Sequence, residues 1–186
     1  MKLIVAITGA SGAIFGVRLL EILKDIKDVE THLIISKSAN ITINSETNYK
    51  ISDVKVLADF FYSIDDIGAC IASGSFRTDG MIIAPCSVKT MSAIAHSYGD
   101  NLISRSADVI LKERKKLVLM LRETPLHLGH LRNMALIAEN GGIIYPPVPA
   151  FYHNPESIDD IVNHTLYRVL DLFDINCDKL KRWQGL

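Results

Sequence analysis

Leu3-Ile4-Val5-Ala6-Ile7-Thr8-Gly9-Ala10-Ser11-Gly12-Ala13-Ile14-Phe15-Gly16 is the stretch on which the reading of this chain turns. Leu3–Ile7 is an unbroken apolar run rich in branched side chains, as in a strand buried on both faces. Thr8-Gly9 ends it, and from about Gly12 to Lys24 the sequence becomes helical and apolar nearly all round. A strand that passes through glycines into a helix aims that helix's first N–H groups at the loop, where they suit an anionic ligand. The same glycines equally suit a tight turn built for packing.

The alternation continues along the chain. Thr31–Ile35, Met81–Ala84 (stopped by Pro85), Leu117–Leu121 and Ile143–Tyr145 (closed by Pro146-Pro147) read as strands. Residues 87–97, 101–115, His127–Glu139 and Ile158–Phe173 read as helices, the last opened by a Ser157/Asp160 capping box. A polar helix or loop runs through Asn44–Tyr49, and residues 50–79 are the least periodic part. There is no repeat, low-complexity tract or linker. Continuous apolar strands alternating with helices predict a parallel sheet covered on both faces. The fold expected is one doubly wound, Rossmann-like α/β domain in three αβα layers, spanning residues 1–186. Its ligands should lie beyond the carboxyl ends of the strands.

Composition narrows the function classes. With 186 residues, 48% apolar and 22% charged, the chain is neither disordered nor fibrous. Its net charge of -1 argues against a nucleic-acid partner and against polybasic membrane attachment. Cys70, Cys86 and Cys177 are odd in number and far apart, which argues against a disulfide framework or a four-cysteine zinc site. No apolar run approaches the roughly 18 residues that span a bilayer, and the apolar start is too short for a signal peptide. A cytoplasmic, reducing location is expected.

The residues just after each strand carry the candidate chemistry. The loop Gly9-Ala10-Ser11-Gly12 is not a G-x-G-x-x-G fingerprint, and Ser36-Lys37 stands where a dinucleotide site wants a carboxylate for the ribose. That favours a phosphate-bearing mononucleotide over NAD. Ser87, Val88, Lys89 and Thr90 follow the third strand, with two hydroxyls that suit a phosphate, a polar ring edge or plain helix capping. Cys86 beside them reads as a small buried residue. Arg105 and Lys112 fall on one face of a helix, and Lys112–Lys116 also suits a solvated helix end. Arg122-Glu123 follows the fourth strand, where Glu123 could act as acid or base, or form a surface ion pair. His127 and His130 suit a polar helix start better than a metal, since no third ligand is evident. Tyr152, in the rigid loop Pro146–His153, and Arg168, on the border of the last helix's stripe, could clamp a phosphate. A packed tyrosine and a snorkelling arginine would read the same way.

Five motifs carry a resemblance over nearly the whole chain: T-G-A-S-G-A, A-P-C-S-x-K-T, N-L-I-x-R-x-A-D-V-x-L-K-E, R-E-T-P-L-H-L-G-H-L-x-N-M and P-P-x-P-A-F-Y-H-x-P-x-S-I-D-D-I-V. Together they resemble the UbiX-type flavin prenyltransferases. The ending Arg182-Trp183-Gln184-Gly185-Leu186 is similar to a subgroup found with hydroxyarylic acid decarboxylases. The resemblance implies a flavodoxin-like fold and a homododecamer. It implies reaction of reduced FMN with dimethylallyl phosphate, without metal, joining the prenyl group to flavin N5 and C6. The product, prenylated FMN, would serve a UbiD-type decarboxylase.

The resemblance also implies roles residue by residue. Gly9, Ala10, Ser11, Ser36, Ser87, Val88, Lys89, Thr90 and Arg122 would hold FMN. Tyr152 and Arg168 would hold dimethylallyl phosphate, with Lys112 and Arg105 nearby and Trp183 as an aromatic wall. Glu46 would pair with Ser11 near N5, and Glu123 would handle protons. The chemistry fits those types, because breaking an allylic C–O bond leaves a phosphate dianion that cations and a phenol stabilise. A Mg²⁺-dependent diphosphate route would want an Asp-rich motif, and only Asp65-Asp66 and Asp159-Asp160 are present. Two alternatives are an FMN-dependent cysteine decarboxylase, disfavoured because Pro85-Cys86-Ser87-Val88-Lys89-Thr90 replaces its P-A-S-A-N-T-like segment, and a non-catalytic flavin-carrying subunit of an aromatic acid decarboxylase.

Overall fold

Strand β1 (Lys2–Ile7) is buried from Leu3 onward and lies mid-sheet, paired in parallel with β2 (Glu30–Ile35) and β4 (Gly80–Cys86). Its branched side chains pack on both faces, as the run predicts. A computed structural model of the chain describes residues 1–177 and 180–185. The chain divides into two compact units, Met1–Pro146 and Pro147–Leu186. Leu186, the final residue of the decarboxylase-subgroup ending, lies outside the described residues.

The first unit holds a six-stranded parallel sheet in the order β3-β2-β1-β4-β5-β6, with β3 at Phe60–Tyr62, β5 at Lys116–Leu121 and β6 at Ile143–Ile144. The chain builds outward from β1 to β3, then returns to β4 and builds the other way. That reversal opens a crevice at the carboxyl ends of β1 and β4, where open α/β sheets bind ligands. Between the strands run α1 (Ala13–Lys24), α2 (Lys37–Glu46), α3 (Ile51–Lys55), α4 (Val88–Ala95), α5 (Leu102–Lys112) and α6 (Leu128–Glu139). Ile4, Ala6, Ile34, Met81, Ile83 and Leu119 are fully buried in the core. Gly16 lets α1 close onto the sheet: a Cβ there would sit 2.3 Å from the Ala84 carbonyl oxygen and 2.7 Å from Ile7 Cγ1. The second unit carries α7 (Ile158–Asp171), capped by Ser157 and Asp160 as the sequence predicts.

Four expectations need correction. The sheet has a sixth strand, β3, whose three residues are too few to register as a period. Pro85 does not stop its strand: β4 continues to Cys86 with a register shift between Ile83 and Cys86, because proline cannot donate to the ladder. The segment around Asn44–Tyr49 begins earlier, as α2, and leaves the helix after Glu46. Helix α5 ends at Lys112, three residues before Lys115.

Candidate functional site

The carboxyl edge of the sheet is tied together by its own backbone. Thr8 Oγ1 donates to the Pro85 carbonyl at 2.7 Å and accepts from Ser87 N–H at 2.8 Å. Ser36 N–H donates to Ile7 O at 3.0 Å, and Arg122 N–H to Cys86 O at 3.1 Å. The segments after β1, β2, β4 and β5 are therefore held in one row. It brings together Gly9, Ala10, Ser11, Ser36, Ser87, Val88, Lys89, Thr90 and Arg122.

Two helix starts face one cleft of about 230 Å³, whose lining includes Ser36, Ser38, Ser87, Lys89 and Thr90. Ser36 caps α2, accepting from Ala39 N–H, and Ser87 caps α4, accepting from Thr90 N–H. Val88 and Lys89 open α4, where N–H groups have no acceptor within the helix. Gly9 makes room here, since a Cβ would fall 2.3 Å from Ser38 Oγ. Four hydroxyls, the Lys37 and Lys89 ammonium groups and the N-termini of α2 and α4 suit the cleft to an anion; of its two carboxylates, Asp65 pairs with Lys37 at 2.9 Å and Asp100 accepts from Asn101 and Ser104. Ser38 was not singled out by the sequence, because its contribution depends on the missing Cβ of Gly9. Cys86 is fully buried, and burial pushes its thiol well above the usual range, so it is no nucleophile.

The start of α1 is already occupied by this chain's own carboxylate. Gly12 is in a left-handed conformation, φ 96°, and its N–H donates to Glu46 Oε2 at 2.8 Å; Ala13 N–H donates to the same oxygen at 3.1 Å. Burial pushes the Glu46 carboxyl upward. The N–H donors of Ala13 and Gly12, the Ser11 hydroxyl and the Arg122 charge outweigh it, so Glu46 lies below the ordinary glutamate value. Ser11, Glu46 and Arg122 thus form one polar cluster. Glu123, next to it in sequence, is exposed, with Oε1 accepting from Thr124 N–H at 3.0 Å.

Arg105 and Lys112 are directed elsewhere within the chain. Arg105 Nε donates to the Ala72 carbonyl at 3.2 Å and its Nη1 bonds Asp108 at 3.0 Å. Lys112 pairs with Glu113 at the end of α5, the end that leads into the start of β5. It therefore lies at the amino edge of the sheet, opposite the Gly9 loop. His127 caps α6, its Nδ1 accepting from Gly129 N–H at 3.0 Å, which is the polar helix start the sequence suggests. Among the described residues, no group of three or more His, Cys, Asp and Glu side chains could hold a metal ion. Nor is any helix among them long and apolar enough to cross a membrane.

The second unit assembles a cationic, aromatic corner. Tyr152 Oη lies 3.0 Å from His164 Nε2, and its ring meets Trp183 edge-on at 5.9 Å. Arg168 Nη1 donates to Asp171 Oδ2 at 2.6 Å, and Arg182 grips both oxygens of Asp171 at 2.6 and 2.7 Å. Tyr152, Arg168 and Trp183 thus belong to one cluster, with His164, Asp171 and Arg182 as members the sequence reading did not assign. The signal for two of these was spacing: His164, Arg168 and Asp171 share one helix face.

An anion-suited cleft at the switch point of a parallel sheet is where a doubly wound α/β protein binds a nucleotide, and the Flavoprotein family matches residues 1–170. The relatives are more specific. Flavin prenyltransferase UbiX of Escherichia coli K12 is 58% identical over 186 residues, covering 99% of this chain and 98% of the relative. A dodecameric FMN-dependent UbiX-like decarboxylase from Escherichia coli O157:H7 superposes with a TM-score of 0.98 at 53% identity, each chain covered in full. AnUbiX, crystallised with FMN and dimethylallyl pyrophosphate, gives a TM-score of 0.97 at 50% identity over 100% of this chain and 98% of its own. The chain belongs to the UbiX-type flavin prenyltransferases, a family of transferase enzymes with this parallel α/β fold.

Proposed function

We propose that this protein transfers the dimethylallyl group of dimethylallyl phosphate to N5 and C6 of reduced FMN, releasing phosphate and giving prenylated FMN for a UbiD-type decarboxylase. The observation that carries the reading is the separation of two anion positions. Glu46 fills the one at α1, with Ser11 and Arg122, and so leaves there a polar edge suited to a flavin ring. The hydroxyls of Ser36, Ser87 and Thr90 and the Lys89 ammonium form the other, suited to the flavin's phosphate. The residues present fit FMN, and Ser36 stands at the end of β2 where a dinucleotide site wants a carboxylate for the ribose.

Reduced FMN supplies the nucleophilic atoms when bound. The chain's residues bind and steer. Glu46 and Ser11 would orient the ring edge near N5, Arg122 would contribute charge there, and Glu123 would handle protons at the leaving phosphate or at C6. Tyr152 and Arg168 hold the donor's phosphate and stabilise the charge it gains as the C–O bond breaks. Trp183 offers an aromatic face to an allylic cation. Lys112 lies at the amino edge of its own sheet, so in this reading a second copy of the chain presents it, within a dodecamer like that of the Escherichia coli O157:H7 relative. The monophosphate is favoured because a diphosphate leaving group ordinarily relies on a carboxylate-held Mg²⁺, whereas cationic side chains suffice for a monophosphate. The product is made and used in the cytoplasm.

The test is anaerobic incubation of purified protein with reduced FMN and either dimethylallyl phosphate or the pyrophosphate, each with EDTA or Mg²⁺. A flavin heavier by one five-carbon unit, formed from the monophosphate in EDTA, is expected. An unmodified flavin, with carbon dioxide released from an aromatic or cysteinyl acid, would overturn the reading.

A further inference from the structure

His164 has no part in the reading above, yet it is 7% exposed and its Nε2 meets two groups at once: Tyr152 Oη at 3.0 Å and the Lys181 carbonyl oxygen at 3.3 Å. A carbonyl can only accept, so the Nε2–Lys181 contact requires a proton on Nε2. Tyr152 Oη must then accept from the same N–H. Its own O–H is left free to donate away from the histidine. The other tautomer would reverse this: Tyr152 would donate to a bare Nε2 and turn oxygen lone pairs toward any phosphate.

We propose that His164 is a positioning residue for substrate binding: held in its Nε2–H tautomer by the Lys181 carbonyl, it makes the Tyr152 phenol a hydrogen-bond donor to the phosphate of the prenyl donor. This rests on the assignment of Tyr152 to that phosphate. Two further features support it. The imidazole of His153 lies flat on that of His164, centroids 4.0 Å apart and planes 4° apart, which fixes the ring. Burial, the His153 ring and the Arg168 charge push the His164 pKa down despite the Lys181 carbonyl, so at neutral pH it carries a single proton and its tautomer decides what Tyr152 can do. Arg168 stands one turn further along the same face of α7, so phenol and guanidinium belong to one anion-binding corner.

The experiment titrates dimethylallyl phosphate into FMN-loaded enzyme carrying His164→Leu, His164→Gln, Tyr152→Phe or His164→Leu with Tyr152→Phe. Glutamine places an amide N–H near the position of Nε2; leucine offers none. His164→Leu should weaken binding of the prenyl donor by about 3- to 10-fold, the value of one neutral hydrogen bond, and raise KM with little change in kcat. His164→Gln should return to within about twofold of the natural enzyme. FMN affinity should not move. In the Tyr152→Phe background His164→Leu should add nothing, because the group it orients is gone. Solid-state ¹⁵N spectra of histidine-labelled enzyme should show His164 protonated at Nε2 and not at Nδ1. An Nδ1–H tautomer, equal losses for Leu and Gln, or an undiminished loss in the Tyr152→Phe background overturns the proposal alone. A Tyr152→Phe enzyme that binds the prenyl donor normally overturns it together with the assignment of Tyr152.

Discussion

Replacing Arg168 by alanine should separate substrate binding from stability, and the structure says by how much. The guanidinium uses Nη1 on Asp171 Oδ2, at 2.6 Å, which leaves its remaining N–H groups to fork onto a phosphate. Asp171 does not depend on that bond. Arg182 holds both its oxygens, and the Arg182 bonds are the largest cause of its lowered pKa. Removing Arg168 therefore leaves no uncompensated carboxylate. The Arg168 side chain is 45% exposed, so the lost pair should cost about 0.2–1 kcal/mol, or a Tm drop of roughly 4 °C at most. A charge-assisted bond to phosphate is worth about 1.5–3 kcal/mol. Affinity for dimethylallyl phosphate should then fall roughly 10- to 150-fold. Arg168→Lys should recover only part, since an ammonium cannot make the two-pronged contact. Calorimetric titration of FMN and of dimethylallyl phosphate, thermal melting and oligomer mass, all on one Arg168→Ala sample, check this. A joint fall in FMN affinity, Tm and assembly mass would refute the clamp and assign Arg168 to structure.

Three further substitutions probe the first unit. Gly16→Ala places a Cβ against the Ala84 carbonyl, which cannot swing aside, and should cost about 1–3 kcal/mol in urea unfolding at unchanged slope; a cost under about 0.5 would contradict the packing argument. Glu46→Gln bears on pH: because the folded Glu46 pKa is below the unfolded value, its contribution is present above about pH 4.3 and is lost as pH falls through the folded pKa. Glu46 is exposed, so the variant should show a stability profile flatter by only about 0.3–1 kcal/mol on the acid side, and a profile parallel to that of the natural chain would show that the α1 contact contributes nothing. Glu123→Gln should retain FMN and slow prenylation by about 10²-fold or more, read in single turnovers; unchanged kinetics would leave Glu123 without a proton-transfer role.

How far these features were legible depends on whether they live in a local pattern. The strands β1, β2, β4 and β5 announced themselves because buried parallel strands are continuous apolar runs, and the cap of α7 because Ser157 and Asp160 sit at fixed spacing. Strand β3 did not, because three residues at an edge carry no period and Phe60 and Phe61 stay exposed. The row after the strands was legible from topology alone. The pairing of Glu46 with the α1 start was not: it joins residues 34 apart in sequence, and the family resemblance pointed only to a partnership of Glu46 with Ser11.

The same topology that made the row legible also sorts the cations. In a parallel sheet, residues that follow a strand stand at the carboxyl edge, and residues that precede one stand at the amino edge. Ser36, Ser87 and Arg122 follow β2, β4 and β5; Lys112 precedes β5 by four residues, and it pairs there with Glu113. A lysine side chain reaches about 6 Å, whereas a six-residue strand is close to 20 Å long, so no rotamer of Lys112 brings it to the Gly9 loop of its own chain. A role for Lys112 in the reaction is therefore a statement about assembly as much as about chemistry. If it grips the phosphate of a donor that reacts with a flavin held at the Gly9 loop, a second copy of the chain must present it, and a preparation held monomeric should lose turnover while still binding FMN.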